Sequence, residues 1–319
     1  MGNKYWGGVS DFILSASGFP LFCLSLRPAI PYVMNPKLSL ALGIVCISFS
    51  PILVKLADAS PLVSAFYRMS IGWVLLAPYC LIKVDLKLPV KDLLLALLGG
   101  LIFASDIAVW NISLVLTSAT ISTLVANLAP VWVGLMSYLF FKRKAGKLFW
   151  IGTAIAIAGM VVLVGIDNLL HLKVNLGLVL ALVASFLYAL YITLSKGVLQ
   201  RVATLTFMFW SMIASSVFLL LICLLQHKQL AHYDMATWFD FVCMGAICQV
   251  AGWITINHAI THLEATKVSI VLLLQTVIAA FLAAVFLNEK LLFIEIVGSA
   301  IVLGGIAVTF LKPRQLNNL

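Results

Sequence analysis

The sequence predicts an all-α, polytopic membrane protein of ten transmembrane helices in two inverted five-helix repeats, on three observations. Hydrophobic residues make up 63% of the chain and charged residues only 10%, far from the roughly 45–50% and about 25% of a water-soluble domain. Apolar runs long enough to cross a bilayer follow one another from Lys37 onward, joined by short connections. The chain also matches itself. The shift that carries Asn111 onto Asn257 also carries Ala119 onto Ala265, Thr120 onto Thr266, Val131 onto Val277, Phe140 onto Phe286, Lys144 onto Lys290, Gly152 onto Gly298 and Gly159 onto Gly305, without a gap.

Residues 1–33 differ from the rest. Lys4 and the run DFILSASGFPLFCLSL loosely resemble a signal peptide, but Ser, Gly and Pro break the apolar stretch and no small-x-small cleavage site follows. It is also short of the about 20 apolar residues that a span requires. The expectation is an N-terminal extension, with the functional protein starting near Met34. The polar start MNPK leads into a strong apolar helix, α1 at 37–56, and α2 follows at 63–83. Lys83, Lys87 and Lys91 separate α2 from α3 at 92–116, and α4 occupies 118–141. Lys142, Arg143, Lys144 and Lys147 mark the turn into α5 at 147–166. The second half repeats the plan with α6 at 174–196, α7 at 203–226, α8 at 236–260, α9 at 264–287 and α10 at 291–311. The repeats are therefore 37–166 and 174–311, followed by a tail at 312–319.

Loop cations set the orientation. With the Met34 end in the cytoplasm, the inner side carries Lys37, Lys83, Lys87, Lys91, Lys142, Arg143, Lys144, Lys147, Lys196, Arg201, Lys267, Lys312 and Arg314, and the outer side only Lys55, Lys173, Lys228 and Lys290. Both termini are thus expected inside, in the cytoplasmic (inner) membrane. A repeat of five spans must insert its second copy upside down, so Lys144 falls inside and its mate Lys290 outside. Inverted repeats are the architecture of carriers that alternate between two openings.

Other classes lack their residues. There is no G-x-x-x-x-G-K-[ST] loop for nucleotide phosphates and no room for a soluble catalytic domain. An intramembrane enzyme would need a nucleophile and base, or a set such as H-E-x-x-H, and neither is present, so no enzyme, cofactor or metal is expected. The net charge of +9 lies in short connections rather than in a dense basic run, which argues against nucleic acid. The six cysteines show no C-x-x-C spacing, and all but Cys23 fall inside spans, where they act as small apolar side chains.

The stretches TSAT-x-STLVANLAPVWVGLMSYLFF, EATKVSIVLLLQ, FLNEKLLFIEIVGSAIVLGGIAV and SPILVKLADASPLVSAFYR resemble the EamA-type drug/metabolite transporter superfamily over Leu38 to Leu311. The resemblance implies that α1–α4 and α6–α9 surround a central cavity while α5 and α10 brace the periphery, and that the solutes are metabolites or amino-acid-like, often exported. The chain departs from the family pattern where Arg143 is the counterpart of Glu289, and where Thr276 stands for the proline that Pro130 keeps in the first half.

Asp106, midway along α3, is the most informative residue. An acid at the bilayer centre costs around 3 kcal/mol on insertion scales, so it should face a cavity or a partner. Trp110, Ser113 and Thr117 continue its face. This stripe reads either as a cavity wall on which Asp106 meets a cationic group or a proton, or as an interhelical tie. On α4, Thr120, Thr123 and Asn127 form a stripe ending near Pro130, which frees a carbonyl and permits a kink. Pro130 and Thr276 are the candidate gate or hinge. Tyr188, Tyr191, Gln249, Trp253, Asn257 and Gln275 complete the candidate substrate cavity. Lys55 and Lys196 end α1 and α6, where long amines snorkel or gate. His258 reads as a wetted interface histidine or a coupling site. Arg68 would draw an anionic group inward or pair with Asp58. The expected partners are a small-molecule substrate and the lipid bilayer, with a proton gradient as candidate driving force and a monomer or homodimer as the assembly. The reading is a secondary transporter of small organic metabolites, amino-acid-like or cationic, working by alternating access and exporting. Uptake, or further off a channel or a non-transporting scaffold, is the alternative.

Overall fold

The computed structural model describes residues 34–116, 122, 125–142, 145–164, 175–286 and 293–311. The N-terminal extension, Thr120, Thr123 and the C-terminal tail lie outside them. Among the described residues there are ten apolar helices, seven long enough to cross a membrane and three shorter. α1 is Pro36–Ser48, continued after a break at Phe49 by Ser50–Leu56; α2 is Pro61–Lys83; α3 is Val90–Leu116; α4 is described as Ala129–Phe141; and α5 is Lys147–Val164. In the second half α6 is Leu176–Val198, α7 is Thr204–Leu225, α8 is Met235–His262, α9 is Ala265–Val271 continued by Leu274–Phe286, and α10 is Phe293–Thr309.

Polar side chains start the helices. Asn35 accepts the Lys37 amide, Ser60 the Val63 amide, Asn175 the Leu178 amide and Asp234 the Thr237 amide, each satisfying one of the amides that a helix start leaves unpaired. These bonds from Thr237 hold the Asp234 carboxyl below its ordinary range. Leu81, Ile82, Leu139, Phe239 and Phe293 point outward, as a hydrocarbon surround requires.

Helix neighbours exchange in pairs under the duplication. α3 packs on α6 as α8 packs on α1, α3 on α7 as α8 on α2, and α4 on α6 as α9 on α1, while α2 meets α7, α4 meets α9 and α5 meets α10 across the axis. That is the neighbour pattern of a two-fold axis lying in the membrane plane. α5 and α10 form a separate peripheral pair with their own small core around Ala156, Met160, Val302 and Ile306. Read from the sequence alone, the small residues at helical spacing, Gly152, Ala156 and Gly159 in α5 and Ala300 and Gly304 in α10, mark the packing faces of this pair. The first three are at the contact, but in α10 the contacting residues are Gly298, Val302, Gly305 and Thr309. Gly304 faces open space and Ala300 is exposed.

Besides the break in α1, three of the described helices carry irregularities along their length. In α8 the stretch Met244–Gly252 is a π-helix. Its two end glycines allow close approach to the first half: a Cβ on Gly245 would lie 2.9 Å from the Gly72 amide, and one on Gly252 2.8 Å from Ile47. α4 and α9 both break. Short three-residue bonds appear at Leu128 and Val131 in one, and at Leu273, Gln275 and Thr276 in the other. Pro130 follows the first break, yet α9 breaks at the corresponding place with Thr276 in the proline's position, so the proline does not by itself dictate the break.

Candidate functional site

Among the described residues, the centre of the helix layers holds one basic side chain, Arg68, and one acidic one, Asp106. Arg68, two turns into α2, does not reach Asp58. It turns inward, its Nε donating to Gln249 Oε1 at 3.1 Å and its Nη1 to Ser50 Oγ at 3.0 Å. Gln249 comes from the π-helical stretch of α8 and Ser50 from just past the break in α1. Three elements thus fix one guanidinium through neutral partners. Asp106 on α3 and Tyr188 on α6 lie within electrostatic range of Arg68 and of each other. The ion pairs among the described residues are Asp92–Arg201 and Glu264–Lys267; Arg68 and Asp106 do not close to form another. Both are deep among the helices yet only half-buried, so they border an internal space rather than dense packing.

An aromatic cluster adjoins the charges. Phe103 on α3 lies one turn below Asp106, and its ring centroid is 4.7 Å from both Tyr191 and Trp253. Tyr191 and Trp253 are 5.2 Å apart, and Tyr188 is 6.4 Å from Trp253. Several buried polar atoms make no well-formed hydrogen bond: the indole nitrogen of Trp253, the Ser195 hydroxyl and both amide atoms of Asn257, and, one turn along α3 from Asp106, the indole nitrogen of Trp110. Ser195 and Asn257 both lie within hydrogen-bonding reach of the Tyr191 hydroxyl, though neither bond has good geometry. Buried polar groups are nearly always paired, so such a cluster is where a polar ligand or ordered water is accommodated.

The remaining predicted residues separate by role. Ser113 is fully buried and shares a hydrogen bond with Ser122, tying α3 to α4. Asn127 donates to Thr276 Oγ1 at 3.1 Å, joining the broken helices α4 and α9 beside the axis. Gln275 is half-buried next to that contact, and Pro130 is buried. Lys196 Nζ and Gln200 Nε2 both donate to the Thr261 carbonyl at 2.9 Å, holding the end of α8. His258 stacks on His262 at 4.4 Å between ring centroids, at that same end. The Lys55 side chain lies outside the described residues. Two hollows lie elsewhere: one of about 330 Å³ beside Asp58, Lys228 and Tyr233 on the face where α2 begins, and one of about 530 Å³ beside Asp85, Leu88 and Trp210 on the other face. Neither is lined by the central residues. The five described cysteines are free, and no group of three or more potential metal ligands occurs among the described residues.

Sequence reasoning did not single out Phe103, Ser50 or Ser195. Phe103 was within reach, since it stands three residues before Asp106 on the same face. Ser50 and Ser195 carry no signal of their own.

Ten helices in exchanged halves around a polar, aromatic centre define a membrane transporter of the inverted-repeat class. Comparison with known proteins agrees. The profile of the EamA-like transporter family matches residues 36–165 and again 175–311, and the chain belongs to that family. It is 21% identical to the "Uncharacterized transporter YdfC" of Bacillus subtilis over 88% of this chain and 92% of the relative. An "Uncharacterized transporter" of Archaeoglobus fulgidus is 26% identical over 88% of this chain and 100% of its own length. A solved crystal structure superposes with a TM-score of 0.75 at 19% identity, covering 88% of this chain and 99% of that one, which shows the fold.

Proposed function

We propose that the protein is a secondary transporter that exports small organic metabolites, amino-acid-like or cationic, across the cytoplasmic membrane by alternating access, with both termini in the cytoplasm. The observation that carries this reading is the pairwise exchange of helix neighbours around a centre that contains Arg68 and Asp106. Charges at that depth are costly unless they serve a ligand or an ion, and two inverted halves supply the two openings a carrier needs. The excess of loop cations on the Met34 side supports the orientation.

The test is counterflow in proteoliposomes, screened with radiolabelled amino acids, polyamines, nucleosides and cationic dyes. A carrier gives exchange stimulated by solute on the opposite side. Conductance without such stimulation would identify a channel instead. Vesicles loaded inside or outside, with a proton gradient of either sign, then report direction and driving force.

A further inference from the structure

Arg68 is a guanidinium enclosed among the helices, two turns into α2, with no carboxylate on it among the described residues. Its five N–H donors are divided unequally: Nε is committed to Gln249 and one hydrogen of Nη1 to Ser50. Both N–H groups of Nη2 and the second of Nη1 remain, and these form the end-on fork that matches a carboxylate or phosphate. The nearest acid in the centre, Asp106, is held away from it on another helix, so the fork is not already taken by the protein among the described residues.

The partner that aims the fork comes from an unusual place. Gln249 lies in the π-helical stretch of α8, five residues past its start. A π-helix turns less per residue than an α-helix, so over that distance the stretch changes the facing of Gln249 by roughly a quarter turn relative to regular helix. Gly72 of α2 lies directly beneath this side chain, where an added Cβ would come within 3.0 Å of Gln249 Cγ. The widened turn and the glycine together let the amide reach Arg68.

We infer that Arg68 is the residue that binds an anionic group of the transported solute, and that Gln249 is the positioning residue that presents its fork. This deepens the transport reading and rests on it for the word "transported" alone. The solute class follows from the surroundings: a carboxylate for Arg68, an apolar or aromatic body for Phe103, Tyr188, Tyr191 and Trp253, and a cationic group within reach of Asp106. Lysine cannot replace Arg68, since a single ammonium cannot hold Gln249 and Ser50 and still offer two parallel donors.

The test uses the purified full-length protein in detergent and three probes of similar shape: L-phenylalanine with both charges, 3-phenylpropionate with the anion alone, and phenethylamine with the cation alone. Calorimetry or ligand-induced thermal shift should show binding in the order phenylalanine, phenylpropionate, phenethylamine. R68K and R68M should each lower affinity for the two carboxylates roughly 10- to 100-fold, the loss of a charge-assisted hydrogen-bond pair. Q249E distinguishes positioning from mere packing. Its carboxylate pairs with Arg68, keeping the helices together and the melting temperature at or above wild type while abolishing carboxylate binding. Phenethylamine binding as tightly as phenylalanine, wild-type phenylalanine affinity in R68K or Q249E, or no binding of any probe at millimolar concentration would each overturn the inference. Binding that follows the predicted pattern without counterflow of the bound probe would leave the assignment of Arg68 standing and sink the transport reading.

Discussion

The two asparagines related by the duplication should respond oppositely to the same substitution. Asn111 is 5% exposed, and its Nδ2 donates to the Pro61 carbonyl at 2.9 Å, closing the start of α2. Its copy Asn257 is 0% exposed, and its amide faces the Tyr191 hydroxyl without a well-formed hydrogen bond. Leucine matches the amide in size, so N111L and N257L differ chiefly in the polar terms. N111L loses one interhelical hydrogen bond to a part-buried carbonyl that keeps its own helical partner, a cost of about 0.5–1.5 kcal/mol. N257L takes one neighbour from the Tyr191 hydroxyl, which Ser195 still reaches, and removes two buried polar atoms that make no well-formed bond, a net gain of up to about 1 kcal/mol. Melting in detergent should therefore fall for N111L and rise for N257L. If Asn257 is kept for a solute or for the opposite opening, the stabilised N257L should also exchange more slowly in counterflow. Destabilisation of N257L as large as that of N111L would refute the reasoning, since it would show Asn257 fully paired in a water network.

Further consequences follow for the helix breaks, the acid and the peripheral pair. A double-mutant cycle of N127L and T276V should return a coupling of about 0.6 kcal/mol, near a threefold change in an equilibrium constant, and additive melting shifts would exclude a bond that matters. P130A should leave the break in α4 in place, because α9 breaks with Thr276 at the corresponding position; unchanged exchange kinetics would support this, while a straightened, slowed carrier would restore the proline as cause. D106N should alter the pH dependence of exchange if Asp106 carries a proton, and a wild-type rate with a wild-type pH profile would remove it as the coupling site. In α10, G305A should destabilise by about 1–3 kcal/mol, since its Cβ would lie 2.5 Å from the Ala156 amide. The adjacent G304A meets nothing within 4 Å and should be neutral or stabilising by up to about 1 kcal/mol; equal melting temperatures for the pair would contradict the packing described.

How much of this was legible in the sequence depended on whether a feature leaves a periodic trace. Ten spans, their order and the duplication are written in apolar runs and paired residues such as Asn111 and Asn257. The face of α10 was misjudged by one residue, Gly304 for Gly305, because both are small and only the partner helix tells them apart. The π-helical stretch MGAICQVAG has no composition that separates it from an α-helix; it is visible only where Gly245 and Gly252 lie against α2 and α1. The inward turn of Arg68 is likewise a tertiary fact. Its helix position allowed Asp58 or the interior, and Gln249 and Ser50, far away in sequence, decide between them.

The duplication explains the scaffold, and the chemistry lies where the copies diverge. Under the shift that pairs Asn111 with Asn257, Asp106 falls on Gly252 and Gln249 on Phe103, while α7, the copy of α2, has no charged residue from Thr204 to Leu225. Both charges of the centre therefore belong to the first half, on α2 and α3, and the amide that orients the cation belongs to the second, on α8. Packing gathers α1, α2, α8 and α9 into one group and α3, α4, α6 and α7 into the other, with α2 and α3 barely touching. A rocking motion of one group against the other therefore keeps Arg68 with Gln249 and shifts both relative to Asp106. A ligand held between the fork of Arg68 and Asp106 would span the two groups, so the loaded and empty carriers differ in what joins them. Symmetric halves alone would give two equal openings with nothing to distinguish loaded from empty; the asymmetric placement of three residues supplies that distinction.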